Sequence, residues 1–522
     1  MSPSVSPIAG RPPSYRPLLI ADGVRSARHR TPNKVALAQG EHKFTYTQLI
    51  DRFDRVSQAA LHDLGLKKGD HVALFAPNIM EFLEIVAGIA SIGAAAAMVP
   101  PGVTAPEVEH ICNDSRAKVL FVHKSLEDIA RAAKLETVKR IIVIGKDYED
   151  WLMRARGIEP TGIAIEEWDT FCIPYTSGTT GKPKGCLLSH RSRVNAFFIQ
   201  ASEFSCYSPD DRALAIAPLY HGAGFAFAMA PIFFGGFTEI LPKFDAEVVM
   251  RKVDELALTN MFFVPTYFHR LFALGNKTLD KYNFKSLRTI QSNAAPLLQA
   301  TKEQIVDYFG EGLLHEIYGS TEAGLCSNLR PPDQLRKTQC VGLPLPGVEF
   351  RVLKDDGTPA PANEPGELWT RSSMGFNGYW QNPKATAEAY DADGWLTVGD
   401  MGMLDDEGYL YIVDRKKDMI ISGGVNVFPR EIEEVLQHHP AVQEVAVIGV
   451  TDPEWGESVT AIVARRAGES ASEAELLEHC RKNLARYKLP KEFKFMDALP
   501  RNVAGKILKR ELRDMVNKGE LK

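Results

Sequence analysis

One segment, Tyr175–Gly185, constrains the chain more than any other. It reads Tyr-Thr-Ser-Gly-Thr-Thr-Gly-Lys-Pro-Lys-Gly, so glycines, hydroxyl side chains and lysines are concentrated in it. Glycines permit a tight turn whose backbone N–H groups face an anion, and the hydroxyls and lysines add donors and positive charge. The segment is not a P-loop, because only two residues separate Gly178 from Gly181. The alternative to a phosphate-binding loop is an ordinary surface turn. The residues predicted to bind a nucleotide here are Thr176, Ser177, Gly178, Thr179, Thr180 and Lys184.

Composition excludes several other classes of protein. With 522 residues, 45% of them hydrophobic and 24% charged, the chain is typical of a soluble protein with several domains or subdomains. Its net charge of −5 gives no electrostatic reason to expect a nucleic acid or a membrane surface as partner. The seven cysteines include no C-x-x-C pair, which favours reduced thiols in the cytoplasm over a disulfide framework or a zinc site.

Two segments could be mistaken for targeting or membrane signals. The N-terminal residues 1–16 are rich in Pro and Ser and have no apolar core, so they predict a loose arm and no signal peptide. The uncharged run 214–237 is long enough to span a bilayer, which takes about 20 apolar residues. However, it contains Pro218, His221 and Pro231. We therefore predict a buried segment that lines a pocket, and no integral membrane span.

Hydrophobic periodicity predicts alternating strands and helices. A helix is expected over 49–64, a strand over 70–75 and a second helix over 79–90. The same alternation resumes later, with a helix over 246–258 and a strand over 261–264. Strands that alternate with helices favour an α/β layer architecture.

The segment Tyr175–Gly185 resembles the signature loop of the adenylate-forming (AMP-binding) superfamily, which includes acyl-CoA synthetases, peptide-synthetase adenylation domains and firefly-type luciferases. Further segments resemble motifs of the same family in the same order, and the likeness is looser before Tyr175. These segments are Ser292-Asn-Ala-Ala-Pro-Leu, His315-Glu-Ile-Tyr-Gly-Ser-Thr-Glu-Ala-Gly, Gly394-Trp-Leu-Thr-Val-Gly-Asp, Asp414-Arg-Lys-Lys-Asp and Pro500-Arg-Asn-Val-Ala-Gly-Lys.

The resemblance implies an adenosine site. Tyr318 would stack on adenine, Glu316 would accept a hydrogen bond from its exocyclic amine, and Asn293 stands with Ala294 where the family has glycines. Asp400 would accept two hydrogen bonds from the ribose hydroxyls, as an ionised carboxylate can, although a turn aspartate is the alternative. The other implied nucleotide-binding residues are Ala295, Pro296, Ile317, Gly319, Arg415, Lys417, Gly423 and Gly424.

The resemblance also implies catalytic residues. Thr321 would bond the α-phosphate, Glu322 and Thr176 would hold Mg²⁺, and Lys506 would be the catalytic lysine. A single glutamate is otherwise most often a solvated surface charge. His221 would contact the substrate carboxylate or the α-phosphate at the mouth of the acyl pocket, although a lone histidine on an apolar segment is usually a core residue.

The implied fold is α/β, with a large N-terminal domain of two α/β lobes plus a β-rich subdomain. A small mobile α+β C-terminal domain would carry Lys506 and act as a lid. The predicted boundary divides residues 1–416 from residues 417–522, with Lys417 at the pivot. We expect the lid to rotate between the two reaction steps, so that Gly423 and Gly424 then line a thiol tunnel.

The implied activity is that of an ATP-dependent carboxylate–CoA ligase, an AMP-forming acyl-CoA synthetase. It would form an acyl-adenylate and pyrophosphate, then pass the acyl group to coenzyme A. The implied cofactors are ATP, Mg²⁺ and coenzyme A, and the expected oligomeric state is monomer or homodimer. Because the residues after His221 are apolar, a polar acyl tail would lose about 2 kcal/mol or more for each unpaired group, so we expect an apolar or aromatic acid.

Three alternatives remain open at this point. The enzyme could load the acyl group onto a carrier protein in trans. It could be a luciferase-like oxygenase that uses the same adenylate. It could also be a nucleotide-binding protein without catalytic activity, although none of the catalytic positions of the family is altered here.

Overall fold

The computed structural model describes residues 11–12, 14–176, 183–423, 425–453, 455–501 and 507–521. The chain divides into two compact units. The first unit comprises Met1–Glu349 and Thr370–Leu396, and the second comprises Phe350–Trp369 and Thr397–Lys522. The predicted boundary between residues 416 and 417 stays a prediction.

The strands of the first unit are short. In chain order they are β1 (Val35–Gln39), β2 (His42–Thr45), β3 (His71–Phe75), β4 (Ala95–Val99), β5 (Val119–His123), β6 (Arg140–Ile144), β7 (Thr170–Thr176), β8 (Lys184–Gly185), β9 (Leu188–Ser189), β10 (Arg212–Ala215), β11 (Phe237–Ile240), β12 (Asn260–Phe263), β13 (Thr289–Ser292), β14 (Leu314–Ser320), β15 (Gly324–Leu329) and β16 (Leu343–Pro344).

Helices alternate with most of these strands. They are α1 (Asp22–Arg30), α2 (Tyr46–His62), α3 (Met80–Ala90), α4 (Ala105–Asp114), α5 (Glu127–Ala132), α6 (Lys146–Leu152), α7 (His190–Glu203), α8 (Gly222–Phe233), α9 (Ala246–Glu255), α10 (Pro265–Phe272), α11 (Asn276–Leu279), α12 (Gln299–Phe309) and α13 (Pro383–Ala389).

Two mixed sheets organise the first unit. Among the described residues, one sheet has nine strands in the order β16-β15-β14-β13-β12-β10-β11-β1-β2, and it is parallel from β14 to β1. The other has the order β6-β5-β3-β4-β7-β8, with β9 also paired to β7, and it is parallel from β6 to β7. Parallel strands connected by helices confirm the α/β prediction, and the carboxyl ends of such strands are where α/β folds bind ligands.

The second unit contains two smaller sheets. Four strands form the order β17 (Glu349–Leu353), β18 (Gly366–Arg371), β19 (Asp400–Leu404), β20 (Leu410–Arg415). The remaining elements are β21 (Ile420–Ser422), β22 (Val425–Val427), α14 (Pro429–Gln437), β23 (Val442–Asp452), β24 (Gly456–Arg465), α15 (Glu473–Asn483), β25 (Glu492–Met496) and α16 (Lys509–Asn517). Their strands form the other sheet, in the order β22-β21-β24-β23 with β25 paired to β24.

The uncharged run 214–237 is buried inside the first unit. It contains the end of β10, the loop before α8, and α8 itself, whose residues are buried on almost every side. α8 has 12 residues. No helix in the described part of the chain is long and apolar enough to cross a bilayer.

Asn78 links the two sheets of the first unit. It follows β3, and its side chain is 6% exposed. Its amide nitrogen donates to the carbonyls of Ile216, Ala217 and Leu241 at 3.1, 3.1 and 3.3 Å, and its oxygen accepts from the Leu219 amide at 2.9 Å. One side chain therefore satisfies four backbone groups after β10 and β11, and it fixes the loop that leads to His221.

We expect Asn78→Ala to lower the free energy of unfolding of the first unit by about 2–4 kcal/mol, because it leaves buried backbone groups without partners. Urea denaturation followed by intrinsic fluorescence measures this loss. Asn276→Ala, at an exposed position on α11, is the control and should change stability by less than about 0.5 kcal/mol. An Asn78→Ala protein as stable as the control would show that this link is unimportant.

Candidate active site

A tight hairpin places Glu322 between β14 and β15. The two strands pair antiparallel, with Ser320 opposite Gly324. A Cβ atom on Gly319 would lie 2.2 Å from the carbonyl oxygen of Gly324, so no larger residue fits there. Gly324 has φ +75°, in the left-handed region that glycine favours. The two glycines of this motif are thus required by the backbone, and they determine where Glu322 lies.

Glu322 is held by two side chains that come from elsewhere in the sequence. The hydroxyl of Tyr379 donates to its Oε1 at 2.9 Å, and the Cys186 thiol donates to the same oxygen at 3.7 Å. The Cys186 Sγ also lies 3.6 Å from the Thr176 Oγ1. Burial raises the pKa of the Cys186 thiol well above its ordinary value, so the thiol is a neutral donor at pH 7. Thr176 and Glu322, the two predicted metal ligands, are therefore brought together around one buried thiol.

Lys184 belongs to the same cluster. β8 pairs antiparallel with β7, and this places Lys184 opposite Thr176. The Lys184 Nζ lies 5.2 Å from the centre of the Tyr379 ring, within the range of a cation–π contact. Gly185 lies in β8 and not in a turn, and a Cβ atom there would come within 2.8 Å of Ile173 Cγ2. The described ends of the glycine-rich loop thus hold a cation near the Tyr379 ring and a hydroxyl near the Cys186 thiol, and Tyr379 and Cys186 both contact Glu322.

The segment after β13 keeps an unusual backbone. Ala294 has φ +78°, a conformation in which glycine is favoured over alanine. The Ala294 amide donates to the Asn293 side-chain oxygen, and Asn293 is buried. This local hydrogen bond compensates in part for the missing glycine. Ala294, Ala295 and Pro296 are exposed.

Glu316 forms a buried ion pair that the sequence did not indicate. Lys302, on α12, contacts Glu316 Oε2, and the two side chains are 0% and 5% exposed. Lys302 also donates to the Cys340 carbonyl at 3.2 Å, and the Leu297 amide donates to Glu316 Oε1 at 3.4 Å. The Glu316 carboxylate is thus fixed before any ligand binds. Its contact with adenine stays a prediction.

The remaining predicted residues of the first unit lie in or just after β14, or directly before α8. Tyr318 and Thr321 are half-buried, and Ile317 is buried in β14. His221 immediately precedes α8, and its ring centre lies 4.4 Å from that of Tyr220.

The second unit brings Asp400 and Arg415 together. The two residues are paired across β19 and β20, and Arg415 Nε lies 3.1 Å from Asp400 Oδ1. Lys417 is exposed. Gly423 has φ +60°, and a Cβ atom there would lie 2.9 Å from the ring of Trp455, so the glycine makes room for that indole.

Several predicted site residues lie outside the described residues. They are Ser177, Gly178, Thr179, Thr180, Gly424 and Lys506.

The two mixed sheets bring a carboxylate, a hydroxyl and a lysine into one cluster at the ends of their strands, as an enzyme of the adenylate-forming type would require. Comparison with known protein families leads to the same class of enzyme. The AMP-binding enzyme family matches residues 24–380, and the C-terminal domain of AMP-binding enzymes matches residues 431–506. The chain belongs to the AMP-binding enzyme family, as the sequence motifs predicted.

Relatives with known activities cover nearly the whole chain. The 2-succinylbenzoate–CoA ligase of Geobacillus kaustophilus is 33% identical over 94% of this chain and 96% of its own length. A fatty acid–[acyl-carrier-protein] ligase of Streptomyces coeruleorubidus is 32% identical over 94% of each protein. The crystal structure of ATP-bound MatB from Rhodopseudomonas palustris superposes with a TM-score of 0.86, at 30% identity, over 95% of this chain and 98% of that chain. These relatives confirm the predicted fold and support the predicted class, acid–thiol ligase.

We expect Lys302→Met to lower the free energy of unfolding by about 3–5 kcal/mol, because Glu316 then carries an unpaired buried charge. The double variant Lys302→Met/Glu316→Leu should lose less, since neither charge remains. Denaturant unfolding of the three proteins measures both effects.

The control is Lys384→Met on α13, whose side chain is 89% exposed and which should change stability little. If Lys302→Met were as stable as this control, the ion pair would have no structural role.

Proposed function

We propose that the chain is an ATP-dependent carboxylate–CoA ligase. It adenylates an apolar or aromatic carboxylic acid and then transfers the acyl group to coenzyme A. The observation that carries this proposal is the cluster of Thr176, Cys186, Glu322 and Tyr379, held together at the ends of β7 and β14. It joins a carboxylate and a hydroxyl in a chain of the AMP-binding family.

The chemistry explains why such a site is needed. A carboxylate is a poor electrophile because it is charged and would have to expel oxide. Attack of its oxygen on the α-phosphorus of ATP expels pyrophosphate and leaves AMP as the group that a thiol can displace. In this proposal Thr321 bonds the α-phosphate, and Lys506 stabilises the negative charge that grows in the transition state. Lys184 and residues 177–180 bind the outer phosphates.

The Glu322–Thr176 pair fits a magnesium ion. Mg²⁺ prefers oxygen ligands and usually takes one or two protein carboxylates together with phosphates and water. The described residues contain no cluster of three or more His, Cys, Asp or Glu side chains that would form an all-protein metal site. Bound to the phosphates of ATP, the ion would neutralise the charge of the departing pyrophosphate.

The remaining nucleotide contacts are proposed by family likeness. Tyr318, Glu316 and the segment 294–296 would surround adenine, and Asp400 with Arg415 would bind ribose. The small C-terminal domain, proposed to begin at Lys417, would present Lys506 for adenylation and residues Gly423 and Gly424 for thioester formation. Such domain alternation suits two reactions in one pocket.

The buried side chains of α8 support a substrate acid whose acyl group is apolar or aromatic. Phe225 and Phe227 are buried on this helix, and the Phe227 ring is stacked at 3.8 Å on Phe262. His221, at the start of the helix, is proposed to contact the carboxylate or the α-phosphate. One relative acts on 2-succinylbenzoate and another on fatty acids, so both aromatic and alkyl bodies occur in the family.

The second candidate function is acyl transfer to a carrier protein, because one relative is an acyl-carrier-protein ligase. An oxygen-dependent luciferase-like reaction is the third. Coenzyme A is favoured as the thiol here because the relatives that align over 96–99% of their own length include CoA ligases for 2-succinylbenzoate and for long-chain fatty acids.

The test is a pyrophosphate-release screen over alkyl, aromatic and polar carboxylic acids, with and without coenzyme A and Mg²⁺. We expect release that requires both acid and Mg²⁺, and acyl-CoA and AMP as products when coenzyme A is present. Adenylation without thioester formation until a carrier protein is added would favour the second candidate. Reaction with amino acids alone, or no release with any acid, would contradict the proposal.

A further inference from the structure

Arg193 is a buried cation for which the described residues supply no counter-ion. It lies in the first turn of α7, and its side chain is 7% exposed. Its Nε has no hydrogen-bond partner, and the described residues place no carboxylate within ion-pairing distance of the guanidinium. The neighbouring Cys172 is not a counter-ion, because burial raises the pKa of its thiol to about 12. A charge that is buried in this way is costly unless something pairs with it.

Other buried charges of the first unit are paired. Lys302 contacts Glu316, and Arg52 donates to Glu84 at 2.7 Å. Burial lowers the pKa of Arg193, but a guanidinium stays protonated at neutral pH. Arg193 therefore differs from the structural ion pairs, because no residue in the described part of the chain pairs with its positive charge.

The guanidinium lies at the start of α8. A Cβ atom on Gly222, the first residue of α8, would lie 3.2 Å from Arg193 Nη2. This helix has no side-chain cap, and its first internal hydrogen bond runs from the Phe225 amide to the His221 carbonyl at 3.0 Å. The amides of residues 222–224 therefore have no partner within the helix, and they form the positive end of its dipole.

The Arg193 guanidinium and the N-terminus of α8 thus concentrate positive charge at the same point. A cation beside the N-terminus of a helix is unfavourable by itself, whereas an anion there is stabilised by both the amides and the charge. Glycine at position 222 lets the guanidinium approach the first helical turn closely, since a Cβ atom there would already lie 3.2 Å from Arg193 Nη2.

We propose that Arg193 and the first turn of α8 bind a carboxylate of the acid substrate. This inference rests on the proposed function and refines its substrate class. A guanidinium fork binds a carboxylate through two parallel hydrogen bonds, and the helix amides supply further donors. The carboxylate is either the one that reacts or a second one at the far end of the acid.

The position along β7 favours the far end. Cys172, which interacts electrostatically with Arg193, lies in β7 four residues before Thr176, which is about 13 Å along a strand. Thr176 marks the proposed phosphate end of the site. An acid with an apolar body and a second carboxylate would satisfy both the apolar wall of α8 and the unpaired guanidinium.

The test compares wild type with Arg193→Met and Arg193→Lys, using monocarboxylic acids and dicarboxylic acids of the same chain length. If the far carboxylate binds, Arg193→Met raises KM for the dicarboxylic acids about tenfold or more and leaves the monocarboxylic acids unchanged. If the reacting carboxylate binds, KM rises for both sets, while thioester formation from supplied acyl-AMP is unchanged. Arg193→Lys should retain part of the effect, because it keeps the charge but not the fork.

Stability gives a readout independent of activity. Without ligand, Arg193→Met should unfold at the same temperature as wild type or higher, because it no longer buries an unpaired charge. The carboxylic acids alone should raise the unfolding temperature of wild type and not that of Arg193→Met. The control is Arg191→Met, whose residue pairs with Glu167 at 2.8 Å and should leave KM unchanged.

Unchanged KM values for both sets of acids, with equal thermal shifts in wild type and Arg193→Met, would overturn the inference. A wild-type protein without ligase activity would contradict the proposed function instead, and the thermal shifts would still report carboxylate binding at Arg193. If Arg193→Met does not fold, the same measurements on Arg193→Lys test the inference, with smaller expected changes in KM and in the thermal shifts.

Discussion

The close approach of Gly319 to Gly324 is the constraint on which the rest of the site depends. It closes the β14–β15 hairpin so tightly that Glu322 must project from its tip. Glu322 then meets Cys186, which lies just after β8, and so the hairpin of the nine-stranded sheet contacts the segment that follows β8 in the other sheet. Without this hairpin, the carboxylate and the hydroxyl of Thr176 would have no fixed relation to each other.

The buried charges of the first unit are of two kinds: those that stabilise the fold by pairing with each other, and one that we propose binds a ligand. Lys302 and Glu316 neutralise each other beneath the segment 294–297, so they stabilise the site when it is empty. Arg193 has no such partner among the described residues, and its guanidinium lies at the start of α8, which has no side-chain cap. The same low-dielectric interior that makes the first pair stable makes the second charge a strong binding group for an anion.

Much of the fold could be predicted from local sequence patterns. The helix expected over 79–90 is α3 (Met80–Ala90), and the strand expected over 70–75 is β3 (His71–Phe75), because hydrophobic periodicity reports burial directly. The helix expected over 49–64 begins three residues earlier, at Tyr46, since Thr45 and Gln48 form a capping box there.

Long-range partners could not be predicted in this way. Tyr379 and Cys186 reach Glu322 from distant parts of the chain, and a tyrosine after glycine carries no local signal for this contact. The sequence alone predicts Lys302 to be an ordinary surface lysine on an amphipathic helix, yet its side chain is fully buried. The positive φ of Ala294 could not be predicted either, because alanine rarely adopts this conformation.

The most direct measurement of the central claim is Mg²⁺-dependent exchange of pyrophosphate into ATP in the presence of an accepted carboxylic acid. Wild type should exchange, and Glu322→Gln should lose about a hundredfold or more, because the metal-binding carboxylate is gone. Tyr379→Phe should lose about tenfold, and Tyr390→Phe, whose hydroxyl donates to the Phe376 carbonyl at 2.8 Å, should exchange like wild type. Equal exchange by wild type and a folded Glu322→Gln protein would contradict the account.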